Sequence, residues 1–142
     1  MNSKSGLMAG KRGLIMGVAN DRTIAWGIAK AVHDAGAEVA FTYQGEALLK
    51  RVKPLAESLG STLVVPCEVT DDASLDATFA AVKQAWGTLD FVVHAIAFSD
   101  KEELKGKYVT TSRANFQQTM DISCYSFTAV AERARQLMPN GG

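Results

Sequence analysis

The stretch with the clearest chemical potential is Gly17-Val-Ala-Asn-Asp-Arg-Thr-Ile-Ala-Trp-Gly27, which follows an apolar run and precedes a helical pattern. A turn in that position can aim backbone N–H groups, and the positive end of a helix, at a bound diphosphate. Gly17 would let the main chain pass close to the ligand. Thr23 could offer a hydroxyl to a phosphate oxygen, Ile24 opens the helix, and Gly27 would let that helix pack closely on a sheet. The spacing is not G-x-G-x-x-G, because the internal glycines are missing. An ordinary loop with a helix N-cap at Asp21 or Thr23 is the competing explanation.

Two further places fit a dinucleotide. Where a second strand ends, an acid favours NAD and an arginine accommodates the extra phosphate of NADP. Here the chain supplies Gln44-Gly45-Glu46, with no arginine before Arg51. A neutral amide can bond ribose hydroxyls, and Glu46 would repel a 2′-phosphate, so NADH (or NAD) is the expected cofactor. A solvated strand-end residue is the alternative for Gln44. After a fourth strand, Ala95-Ile96-Ala97 places small side chains where a nicotinamide ribose must approach the backbone. His94 reads as a strand-packed histidine and is given no catalytic role.

These stretches need a scaffold. Gly13 to Gly17 suits a strand buried on both faces. Ile24, Ile28, Ala31, Val32 and Ala35 recur at helical spacing, and Gly36 ends that helix. Strands are expected at 38–43, 62–65 and 90–94, with helices at 46–59 and 71–86, the latter capped by Asp71, Asp72 or Ser74. The charged segment from Ser99 to about Ser112 reads as a functional loop or a short helix. One long helix is expected from Arg113 to Met138, broken by Pro139. Alternating strands and helices predict an α/β fold, a Rossmann-like doubly wound parallel sheet in the order 3-2-1-4. The whole of 1–142 is expected to be a single dinucleotide-binding domain, C-terminally incomplete before a fifth strand. If Gly142 is the true terminus, an open sheet edge and uncovered helix faces predict poor solubility.

The bulk properties exclude several classes. The 142 residues suffice for one domain. Lys plus Arg and Asp plus Glu are 15 each, so no net field recruits nucleic acid or anionic membrane. Mean hydropathy is +0.01, no run of apolar residues is long enough to span a bilayer, and Met1 to Met8 lacks the apolar core of a secretory signal. Cys67 and Cys124 lie far apart without CxxC spacing, so neither a disulfide framework nor a metal site is expected. The expected setting is cytoplasmic.

The long first turn, Ala40-Phe-Thr-Tyr-Gln44, Glu68-Val69, His94-Ala-Ile-Ala-Phe98 and Asp121-Ile-Ser-Cys-Tyr-Ser-Phe127 together carry a specific likeness. Over essentially its whole length the chain resembles the enoyl-[acyl-carrier-protein] reductases, a divergent branch of the short-chain dehydrogenase/reductases. The resemblance implies NADH-dependent reduction of the trans-2-enoyl thioester of acyl-carrier protein, in fatty acid elongation. It implies that Glu68 and Val69 hold the adenine, the acid accepting from the exocyclic amine. The branch often carries aspartate there, so Glu68 departs by one methylene, and a solvent-facing loop acid is the alternative. Ser99 falls where the family's acyl substrate touches the chain. Relatives are commonly homotetramers, with the helix after strand four between subunits; Phe116, Met120, Phe127, Val130 and Leu137 suit that role or ordinary core packing equally.

In the family a tyrosine hydroxyl stabilises the enolate formed by hydride transfer, and a lysine binds the nicotinamide ribose. Both are implied to lie beyond residue 142, so no catalytic residue is assigned here and the chain alone is expected to be inactive. Tyr43 and Lys50 match the Tyr-x6-Lys spacing but sit at the adenosine end, and coincidence is the better explanation. Tyr125 reads as a packing residue. Asp121 and Ser123 either support the site from behind the nicotinamide or pack in an interface. Two rivals remain: a non-catalytic dinucleotide-binding module, and a ketoacyl or other carbonyl reductase, which the absent Asn-Ala-Gly disfavours.

Overall fold

A computed structural model describes residues 6–142; the first five positions of the polar Met1–Met8 segment lie outside the described residues. Four parallel strands, β1 (Arg12–Met16), β2 (Glu38–Tyr43), β3 (Val64–Pro66) and β4 (Phe91–His94), form one sheet in the order β3-β2-β1-β4. Leu14 pairs with Ala40 on one side and Val92 on the other, so β1 is central. Its side chains alternate between faces. Ile15 packs with Trp26, Phe41 and Val52 beneath α1 (Ile24–Asp34) and α2 (Glu46–Ser58). Leu14 and Met16 pack with Leu75, Phe79 and Val130 beneath α3 (Asp72–Trp86) and α5 (Ser126–Arg135). Helices thus cover both faces, which is why β1 after Arg12 is a continuous apolar run rather than an alternating one.

Four sequence expectations are corrected. The inner face of α1 is Ala25, Trp26 and Ala29, whereas Ile24 is 80% exposed at the helix start. The apolar stripe through Ile24 and Ile28 therefore mis-phases the helix, because Trp26 stacks at 6.1 Å on Phe41 and sets its rotation. A Cβ on Gly27 would meet nothing within 4 Å, so that glycine does not serve close packing on the sheet. The third strand begins at Val64 rather than Thr62. Gly60 and Ser61 are still closing α2 there, their N–H groups donating to Glu57 and Ala56 carbonyls.

The fourth correction is the long helix. It is α4 (Arg113–Met120), a π turn (Asp121–Tyr125) and then α5. Within the turn the Ser126 N–H donates to the Asp121 carbonyl, five residues back instead of four. Asp71 is the cap of α3, its carboxylate accepting from Ala73 N at 3.0 Å. Ser74, another candidate, instead accepts from Glu68 N at 2.8 Å. The segment before α4 holds one short helical turn, Tyr108–Thr110. Among the described residues no helix is long and apolar enough to cross a membrane.

Candidate dinucleotide-binding site

Parallel α/β sheets place their sites beyond the carboxyl ends of the strands, at the point where connections leave in opposite directions. In this sheet β1 continues to β2 on one side and neighbours β4 on the other. A cavity of about 320 Å³ opens at that point. It brings together Gly17 after β1, Gln44 after β2, Glu68 and Val69 after β3, and Ala95, Ile96 and Ala97 after β4. These residues are distant in sequence, in four separate strand-end segments. The sheet alone unites them.

Gly17 is required by the sheet itself. Its φ is +110°, and a Cβ there would lie 2.0 Å from the Ala95 carbonyl oxygen. Only glycine lets β1 leave the sheet against the end of β4. In the turn that follows, the Arg22 N–H donates to Asn20 Oδ1 at 2.8 Å and the Thr23 N–H to the Asn20 carbonyl at 3.4 Å. Among the described residues, the N–H groups of Val18, Ala19, Asn20, Asp21 and Ile24 meet no protein acceptor. Such a row of unpaired donors ahead of a helix suits an anion. The Thr23 hydroxyl donates to the Asn20 carbonyl at 2.9 Å, so it braces the turn. Neither Thr23 nor Ile24 lines the cavity.

At the other end Gln44 Nε2 donates to Glu68 Oε2, while Glu68 Oε1 accepts from Thr70 N (3.2 Å) and Thr70 Oγ1 (2.8 Å). Partial burial opposes ionisation of Glu68, but the Thr70 hydroxyl, the Thr70 N–H and the Gln44 amide outweigh it. They hold the carboxyl below the usual glutamate value. The longer side chain is therefore folded back onto its own loop. Cys67 lies behind it, buried; burial pushes its thiol up, and the Thr78 hydroxyl partly offsets this.

Several lining residues have no site role in the sequence analysis: Thr42, Leu48, Cys67, Phe98, Gln118 and Ile122. Gln118 and Ile122 are four apart on the segment after the loop, a spacing that signals one shared face but not which face. Tyr43 also lines the cavity, whereas Lys50 is exposed on α2 and does not. Ser99 is tied down beside the site: its Oγ is 3.1 Å from both Asn115 Nδ2 and Thr119 Oγ1. Ser123 clamps the neighbouring backbone, its Oγ accepting from Phe98 N at 3.1 Å and lying 3.3 Å from the Phe98 carbonyl. Asp121 and Tyr125 are exposed, which corrects the expectation that Tyr125 packs. Among the described residues both cysteines are free and no cluster of metal-ligating side chains occurs.

Comparison with known proteins points to one family. Residues 17–142 match the family model described as "Enoyl-(Acyl carrier protein) reductase". The chain is 64% identical, over all of its length, to "Enoyl-[acyl-carrier-protein] reductase [NADH] 1" of Rhizobium meliloti, and covers 52% of that protein. It is 51% identical over 138 residues to the FabI enzyme of Rickettsia bellii. Among solved structures, FabI from Candidatus Liberibacter asiaticus superposes on 96% of this chain with a TM-score of 0.94 and 61% identity. The enoyl reductase of Anaplasma phagocytophilum, solved in complex with NAD, superposes with a TM-score of 0.93 and 62% identity. The chain spans about half the length of the curated relatives it matches.

Proposed function

The chain belongs to the enoyl-(acyl carrier protein) reductase family, and from that premise we propose that it forms the NADH-binding part of an enzyme that reduces trans-2-enoyl thioesters of acyl-carrier protein. The observation that carries the reading is the cavity at the divergence of β1 and β4, with unpaired amides at its mouth and an acid and an amide at its far end. Its size falls in the ordinary range for a cofactor site.

The residues fit such a cofactor. The N–H groups of 18–21 and of Ile24, with Gly17 beside them, would hold the diphosphate, and Thr23 contributes through the turn that it braces. Gln44 would bond the adenosine ribose, Glu68 would accept from the adenine amine, and Val69 would read the ring edge through its backbone. Ala95, Ile96 and Ala97 would leave room for the nicotinamide ribose. The reduced nicotinamide, when bound, supplies the hydride. Ionised Glu68 and nearby Glu46 both oppose a 2′-phosphate, which favours NADH over NADPH. Ser99, held by Asn115 and Thr119, would meet the acyl substrate from the loop wall.

The assembly is proposed to be a homotetramer, with the outer face of α4, the π turn and α5 between subunits, in the cytoplasm. Exposed Phe116, Met120 and Phe127 on that face support it, while Val130 and Leu137 are core. Titrating the full-length protein with NADH and NADPH, then assaying an enoyl thioester, tests the function. The expected result is tighter binding of NADH and turnover of the enoyl substrate. Turnover of a ketoacyl substrate instead, or no binding of either nucleotide, would overturn it.

A further inference from the structure

His94 ends β4 one residue before the cavity-lining Ala95, and its Nε2 lies 2.8 Å from Ser126 Oγ. Ser126 is fully buried, and its Oγ is 2.5 Å from the Ile122 carbonyl oxygen. A contact that short between a hydroxyl and a carbonyl needs the hydroxyl proton between them, because two lone pairs would repel. Ser126 Oγ therefore donates to Ile122 and can only accept from His94. On that reasoning a neutral imidazole carries its proton on Nε2.

This chain of bonds spans the π turn. The Ser126 N–H has moved to the Asp121 carbonyl, so it no longer serves Ile122 as it would in an α-helix. The Ser126 hydroxyl takes over that carbonyl, and His94 orients the hydroxyl. The turn so fixed presents Ile122 to the cavity and aims Ser123 Oγ at Phe98 N. Two ties thus join β4 and the strand end after it to one helical irregularity. Between them lie Ala95, Ile96 and Ala97.

We propose that His94 is a positioning residue: its Nε2–H, acting through Ser126, holds the π turn that shapes the β4 end of the cavity. The proposal rests on the reading of that end as the nicotinamide half of an NADH site. Burial keeps the imidazole below its ordinary basicity against a backbone hydrogen bond at His94 that raises it, and the Phe127 ring packs in a T-shaped arrangement with it, ring centroids 5.6 Å apart.

The test uses the full-length protein, with NADH and ADP as probes. Because the turn borders only one end of the cavity, His94→Phe and Ser126→Ala should each weaken NADH binding about tenfold, the scale of one lost hydrogen bond, with ADP binding held within about twofold. His94→Gln, whose amide nitrogen can donate to Ser126, should restore NADH binding. The double variant His94→Phe/Ser126→Ala should be no worse than either single one. Equal loss of NADH and ADP, or NADH binding unchanged in His94→Phe, would overturn the proposal. Imidazole-nitrogen NMR provides a readout independent of any ligand: an Nε2–H signal for His94 that Ser126→Ala shifts is expected. An Nδ1–H tautomer, or a signal indifferent to that substitution, would refute the clamp. If wild-type protein binds neither probe, the nucleotide reading fails, and the NMR signal alone decides whether the clamp exists.

Discussion

At the scale of residues, the site depends on where protons and lone pairs are already committed. Glu68 is the informative case. Its carboxylate is a hydrogen-bond acceptor for Thr70 and Gln44, so ionisation is favoured more in the folded chain than in the unfolded one. The folded value is the lower of the two, so its contribution to stability is complete above the ordinary glutamate value of 4.5. As the pH falls through the folded value, the unfolded chain takes up the proton first and that contribution is lost. Urea unfolding at several pH values should show wild-type protein and Glu68→Gln converging in stability below pH 4.5, with the wild type ahead near neutrality. A pH-independent gap would mean that the carboxylate is solvated and its hydrogen bonds are not sustained. The sequence showed this acid and its neighbour Val69, but its tie to Gln44 needed two strand ends brought side by side.

At the scale of elements, hydrophobic periodicity located helices better than it phased them. The start of α1 was legible, yet its buried face was not, because one large residue outweighed a stripe of smaller ones. Trp26 against Phe41 turns Ile24 and Gly27 outward. Gly27 then occupies an open helical position with no packing reason to be glycine. Gly27→Ala should raise the stability of the nucleotide-free protein by about 0.5–1 kcal/mol, measured by chemical denaturation. A loss of stability would show that the helix lies closer to the sheet than described. The π turn was equally illegible. Nothing in the pattern of residues 113–138 distinguishes a continuous helix from one that shifts its hydrogen bonds by one residue. The deciding partner, His94, is 32 residues from Ser126 in sequence. Strand positions, by contrast, were more legible: β2 occupies the expected 38–43, and β1 and β4 lie within one residue of 13–17 and 90–94, because each centres on a short apolar run.

At the scale of the whole molecule, a doubly wound sheet delivers four separate loops to one edge, and the nominated residues gather there because of strand order rather than sequence proximity. Seven of the nine cofactor residues expected from the sequence line the cavity, while Thr23 caps and Ile24 opens α1 and Ser99 is held by Asn115 and Thr119. Nucleotide binding depends above all on the turn after β1 keeping its amides for a diphosphate. Amide-resolved NMR of the full-length protein during titration with NADH addresses it most directly. The largest shifts are expected at Val18, Ala19, Asn20, Asp21 and Ile24, with Arg22, already bonded to Asn20, moving less. Saturable binding that leaves those amides unmoved would contradict it.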